Sequence, residues 1–317
     1  MAKYRNHLPQ QDGGLFLTDG GIETTLIFHD GFELPYFAAF HLLRDAKGAE
    51  ALRWYFSRYA AIAHTCETGF IFEAATWRAN PDWAEKLGYS TAALVAANRQ
   101  AIDLLVGLRA AFETARSPMV ISGCVGPRGD GYDPGALMTP DEAEAYHAVQ
   151  IETFARTEAD QVTAITMTNT NEAIGIARAG RKAGMPVAIS FTVETDGRLP
   201  TGQTLKAAIG EVDAATGGAP VYYMVNCAHP THFAGALAEA AASKRLCGMR
   251  ANASKLSHAE LDQATDLDDG DPVELAQSYA SIRDRFPWIN VLGGCCGTDH
   301  RHVEQIFAAC GTATKGG

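Results

Sequence analysis

Two patterns alternate along the chain. Short apolar runs, ending in Gly, Asn, Thr or Cys, give way to longer stretches whose apolar residues recur at helical spacing. Eight such runs are present: GLFLTDGG, GFIFEAAT, PMVISGCVGP, DQVTAITMTN, PVAISFTVE, PVYYMVNCA, RLCGMRANA and INVLGGCCG. The stretches between them predict helices over residues 47–67 and 90–115, the latter after a Ser-Thr start. TPDEAEAYHAVQIETFARTEA opens with Thr139, Pro140 and an acidic first turn, a good start signal. NEAIGIARAGRKAG stops at Gly184, and GQTLKAAIGEVDAA, THFAGALAEAAAS, DPVELAQSYASIRDRF and DHRHVEQIFAAC complete eight strand–helix pairs.

Strands that are short and almost wholly apolar belong to a parallel sheet covered on both faces. Their alternation with helices defines an α/β protein. Eight units in 317 residues favour a closed (β/α)8 TIM barrel, a single domain over residues 1–317, above an open doubly wound sheet. No G-x-G-x-x-G follows the first strand, which removes the dinucleotide-binding reading. The acidic segment TDLDDGDP, residues 265–272, reads as a surface loop, and residues 1–12 and 312–317 as loose termini.

Composition narrows the function. The net charge is -11, with no run of Lys or Arg, which argues against nucleic acid or an anionic membrane as partner. No stretch approaches a membrane span, and the polar N-terminus is not a secretory signal. Seven cysteines, an odd number, point to a reducing, cytoplasmic setting, where thiols are buried, catalytic or metal-bound. A homo-oligomer is compatible with all of this.

In a barrel of this kind, chemistry sits at the C-terminal strand ends. Polar residues gather there: Asp19 on the first strand, Glu73 on the second, Asn226 and Cys227 on the sixth, Asn252 on the seventh, Cys295 and Cys296 on the eighth. Strands six and eight are two apart, so their ends can converge. Three thiolates from two loops suit Zn2+, with one tetrahedral position left open in a catalytic site. Gly293, Gly294 and Gly297 would let the backbone turn so that neighbouring cysteines face one ion. Asn226 would orient a ligand from behind. Against this stand a vicinal disulfide or small core residues; the combination of the three on suitably spaced strands favours the metal. His229 follows Cys227 too closely to be a convincing fourth ligand and is expected to point elsewhere.

The sequence resembles the homocysteine S-methyltransferase family, zinc-dependent thiol/selenol methyltransferases on a (β/α)8 barrel. LTDGGIETTL, GCVGPRGDGY, SFTVETDGRLPTGQTL, VNCAHP and GGCCGTDHRHV carry the likeness, from about Leu15 to Cys310. It implies zinc on Cys227, Cys295 and Cys296, with a small-molecule thiol acceptor and a methyl donor as substrates. The chain leaves no room for cobalamin or folate modules, which implies a sulfonium or ammonium donor such as S-methylmethionine or betaine. Trp77, Tyr132, Tyr222 and Phe191 are aromatic candidates for holding that cation. Asp19, with the Gly20 and Gly21 amides, matches the family's acceptor-binding turn.

One position departs from the family. A Glu that binds the acceptor's ammonium group ends the fourth strand there, and Ile165 stands in its place here. Glu73 could supply the missing charge, or the acceptor could be a thiol other than homocysteine. Two further readings remain: a zinc-dependent hydrolase or lyase, and a non-catalytic zinc or thiol sensor.

Overall fold

The computed structural model describes residues 1–240, 243–264 and 266–311. All eight expected strands form: β1 (Phe16–Leu17), β2 (Gly69–Glu73), β3 (Met119–Val125), β4 (Gln161–Met167), β5 (Val187–Thr192), β6 (Tyr222–Asn226), β7 (Leu246–Ala251) and β8 (Val291–Gly294). They pair in sequence order, all parallel, and β1 closes on β8 through Phe16–Val291 and Leu17–Leu292. This is a single-domain (β/α)8 barrel. The helices that follow the strands are α1 (Ala46–Thr65), α2 (Thr91–Phe112), α3 (Pro140–Ala155), α4 (Thr170–Ala183), α5 (Leu205–Thr216), α6 (Pro230–Ala240), α7 (Pro272–Arg285) and α8 (His300–Cys310).

Local chemistry sets their ends. The Thr139 hydroxyl and Glu142 carboxylate form a reciprocal capping box with Pro140 inside it, which starts α3. Gly184, at φ 67°, stops α4 in the left-handed conformation. Short helices at Pro81–Lys86 and His258–Gln263 were not predicted; one turn each is too short for a periodicity to register. The second starts from a Ser257–Glu260 capping box beside the barrel mouth.

Outward strand positions pack against the helices, as Phe191 and Tyr223 do with rings stacked 6.1 Å apart. Inward positions change character along the barrel axis. Phe16, Ile71, Val120, Ala188, Tyr222, Met224 and Val291 fill the lower part. Above them the inward residues are polar and bonded across strands: Ser122 to Thr163 at 2.7 Å, Thr163 to Glu73 at 2.8 Å, Ser190 to Asn226 at 2.6 Å. A strand that reads as uniformly apolar thus delivers one or two polar groups to the upper interior.

Residues 1–12 are not loose. Leu8, 2% exposed, plugs the lower end of the barrel among those apolar side chains. Arg5 donates to the carbonyls of Ala155, Thr157 and Ala159, and the Tyr4 amide to Asp160. Polar composition concealed this, because the polar groups satisfy carbonyls that the barrel's own connections leave open. Residues 312–317 lie outside the described residues, as does residue 265 of the acidic loop. Among the described residues no helix is long and apolar enough to cross a membrane.

Asp160 ties this lower end together: its fully buried carboxylate accepts from Arg109 at 2.7 Å, the Tyr4 amide at 2.7 Å and the Ile121 amide at 2.9 Å. Asp160→Ala leaves the buried Arg109 guanidinium with only the longer contact to Glu158, at 3.6 Å, and two amides without their acceptor, and should cost about 3 kcal/mol. The expected outcome is a lower denaturant midpoint at unchanged slope.

Candidate active site

Cys227, Cys295 and Cys296 meet at the C-terminal mouth of the barrel, their three Sγ atoms all within 4.8 Å of one another. The backbone that brings them together is pinned at several points. The Cys295 amide donates to the Ala251 carbonyl, and the Cys296 carbonyl accepts from the Ala253 amide, so β7 holds the loop after β8. Tyr279 of α7 reaches beneath, accepting from the Ala251 amide at 2.7 Å and donating to the Gly293 carbonyl at 2.6 Å. The glycines act differently from expectation. Only Gly297, at φ +78°, needs a left-handed backbone. Gly293 and Gly294 are required by contact instead: a Cβ on them would lie 1.8 Å and 2.0 Å from the Thr18 and Thr298 hydroxyls.

On the opposite side, strain places Cys227. Its φ is 55°, and that of Thr166, across the mouth on β4, is 66°; both are rare for residues with a side chain. Asn226 holds the pair. It accepts from the Thr166 amide at 3.1 Å and Ser190 at 2.6 Å and donates to the Thr166 hydroxyl at 2.9 Å, which lies 3.7 Å from the Cys227 sulfur. His258, which the sequence reading missed, bonds the Cys227 carbonyl and stacks on Tyr132 with centroids 3.9 Å apart. Tyr132 in turn reaches the Cys296 sulfur at 3.4 Å. Its only prior signal was the capping box that starts the helix bearing it.

The three thiols lie side by side. The neighbouring Cys227 and Cys295, and then Tyr132, favour the charged form of Cys296 and hold it below the ordinary thiol range. Cys295 is pushed up by Cys227 and Cys296. Cys227 is favoured by Cys295 but left raised by Cys296 and by burial.

A cavity of about 420 Å³ opens over the sulfurs, a size typical of small-molecule sites. Asp19, Gly20, Gly21, Glu73 and Trp77 line it. Asp19 is engaged by Arg250 at 2.8 Å and Tyr55 at 2.9 Å, and the Gly21 amide donates to Thr298. Glu73 accepts from Thr163 with one oxygen; the other is buried without a partner. Asn226 lies below the lining and acts through Thr166, and Asn252, 1% exposed, is absent from it. Ile165 lines the wall, its carbonyl bonded to the Trp77 indole at 3.2 Å. His229 turns away to Thr231, so the cavity wall contains no histidine among the described residues.

Of the four aromatic candidates, Trp77 and Tyr132 line the cavity. Tyr222 does not: it points into the lower barrel, bonded to Gln161 and Gln10. Phe191 points outward to the helix layer. Strand alternation decides both. The sequence reading missed Phe28 and Phe37 at the rim, 55% and 57% exposed, and three charged wall residues, Glu23, Arg78 and Arg250. The acidic loop also borders the cavity through Asp266 and Asp268.

A closed eight-stranded barrel with three thiols converging at its mouth defines a thiol-centred barrel enzyme. The chain belongs to the homocysteine S-methyltransferase family, whose model matches residues 16–310, and it is a methyltransferase. The homocysteine methyltransferase MmuM from Escherichia coli shares the fold. Its oxidised form gives a TM-score of 0.75 at 19% identity, over 95% of this chain and 97% of that one. The metallated form gives 0.73 at 17% identity, over 95% and 98%. No curated protein matches the chain.

Burial pushes the Glu73 carboxyl up to about 7, against the pull of Arg250 and the bond from Thr163. The unfolded chain releases that proton near the ordinary glutamate value of 4.5, so between these values the folded state binds more protons and stability falls as pH rises. Glu23, also raised to about 7 by burial, adds a slope of the same sign. Glu73→Gln should flatten the decline in unfolding free energy between about pH 5 and 7 by about 1–3 kcal/mol, read by denaturant titration at each pH.

Proposed function

We propose that Cys227, Cys295 and Cys296 hold Zn2+ and that the chain moves a methyl group from a sulfonium or ammonium donor, of the S-methylmethionine or betaine type, to the thiol of homocysteine, giving methionine. The observation that carries this reading is the convergence of the three sulfurs within 4.8 Å. Sulfurs on one tetrahedral zinc at about 2.3 Å stand about 3.8 Å apart, so small side-chain adjustments suffice. When bound, zinc supplies an open position at which an incoming thiol is held as the thiolate.

The protein's own groups do the rest. Tyr132 and Thr166 contact the sulfurs of Cys296 and Cys227 and fix their direction. Asn226 positions Cys227 through Thr166. Trp77 and Tyr132 line the cavity, and the ring faces not covered by Arg78 and His258 would offer a positive donor an electron-rich surface. Transfer is an in-line displacement. The acceptor sulfur forms a bond to the methyl carbon as the donor's bond breaks, and the pair stays on the donor atom, which leaves neutral. No acid is needed, and alignment is the main contribution of the wall. The reaction needs its thiols reduced, which suits the cytoplasm. The absence of histidine from the wall speaks against a hydrolytic zinc site, which uses His and carboxylate ligands.

Purified, reduced protein should contain one zinc per chain and form methionine from homocysteine with S-methylmethionine or betaine. Cys295→Ser should lose most of the metal by elemental analysis and at least about 100-fold in rate. Retention of one zinc per chain by that variant would refute the ligand set.

A further inference from the structure

The substrate cavity holds more charge than the sulfur chemistry uses. Asp19 and Arg250 are paired on its floor, and Glu73 is bonded there to Thr163. Arg250 pairs with Asp19 and donates to the Gly294 and Gly20 carbonyls, while Tyr55 caps the other Asp19 oxygen. Glu23 and Arg78 differ. Among the described residues no side chain donates to the Glu23 carboxylate, which lies on the cavity wall. Arg78 is 5% exposed, yet its Nε has no partner; it donates to the Gly129 carbonyl at 2.7 Å, and Asp130 is 3.9 Å away on the rim. Its guanidinium lies between the rings of Trp77 and Trp83, 4.1 Å and 4.0 Å from their centroids. That sandwich fixes the plane of the fork on the cavity wall. A carboxyl group with no side-chain donor and a held, under-paired cation thus line one cavity.

We propose that Glu23 and Arg78 clamp the amino-acid head group of the acceptor, Glu23 receiving the ammonium and Arg78 the carboxylate, so that they set specificity for an α-amino acid thiol. This rests on homocysteine as the acceptor. Glu23 and Arg78 both line the cavity that opens over the three sulfurs. An acceptor whose sulfur joins the cysteines, with three carbons between sulfur and nitrogen, would then meet the two charges in the order of its own groups. The clamp also accounts for Ile165. An apolar residue on the wall beside Trp77 is tolerable where the ammonium finds its counter-charge on the loop after β1. Burying an isolated zwitterion without such partners would be costly.

The test uses the product, methionine, which carries the same head group and has no free thiol. Calorimetric titration of the full chain compares methionine with its decarboxylated and deaminated analogues. Wild type should bind methionine about 10- to 100-fold more tightly than either, as expected for charge-assisted hydrogen bonds. Glu23→Gln, close in shape, should weaken methionine about 10- to 100-fold and leave the deaminated analogue unchanged. Arg78→Gln should weaken methionine similarly and leave the decarboxylated analogue unchanged; if it does not fold, Glu23→Gln alone decides. Equal loss for methionine and the deaminated analogue in Glu23→Gln, no loss, or no binding of methionine by wild type overturns the clamp. In turnover, Glu23→Gln should raise KM for homocysteine more than it lowers kcat. If wild type shows the binding pattern but transfers no methyl group to homocysteine, the reaction is wrong and the clamp stands. If homocysteine turns over and Glu23→Gln changes neither affinity nor KM, the clamp is wrong and the reaction stands.

Discussion

Three sulfurs crowded onto one point are the constraint around which the upper half of this barrel is arranged. Two of them come from adjacent residues, which a regular strand would send to opposite faces. The chain escapes that alternation by ending β8 at Gly294 and turning through Gly297, with Tyr279 and β7 holding the loop from below and beside. The third sulfur comes from the other side on a residue forced to positive φ. A conformation that costs of order 1–3 kcal/mol persists only if its surroundings over-determine it. Asn226, Thr166 and Ser190 provide that, and their hydrogen bonds lie entirely within the protein.

The electrostatics of the cavity follow from the same architecture. Inward strand positions turn from apolar below to polar above, so the floor under the sulfurs is a bonded layer of Glu73, Ser122, Thr163, Asp19 and Arg250. Buried charges of this kind persist where each finds a partner. The floor is bonded across strands, although Oε2 of Glu73 and Nη1 of Arg250 are buried in it without a hydrogen-bond partner. Charge available to a ligand lies one level higher, on the loops after β1 and β2, where Glu23 and Arg78 stand.

Much of this was legible in the linear chain. Eight apolar runs predicted eight strands, and Thr139-Pro140 and Gly184 marked the helix ends they do mark. The cysteines were legible because few other arrangements place GGCCG two strands beyond an Asn-Cys. Other features left no mark. Tyr222 and Phe191 stand in strands, like Ile165, but only the phase of the strand decides whether a side chain faces cavity, lower barrel or helices. Leu8 and Arg5 sit in a polar N-terminal stretch, and their docking depends on a barrel end assembled from residues far along the chain.

Sequence alone determined the class of fold and the family and singled out the three cysteines, because hydrophobic period and the chemistry of thiols are properties of short segments. Tertiary structure alone decided which charges remain unmet. Asp19, Glu73 and Glu23 are equivalent carboxylates in the chain. They become different when Arg250 from β7 and Tyr55 from α1 reach the first, Thr163 from β4 reaches the second, and no side chain among the described residues reaches the third. Partnership across a barrel is a fact about distance in space, and an aperiodic one, so no local pattern could encode it.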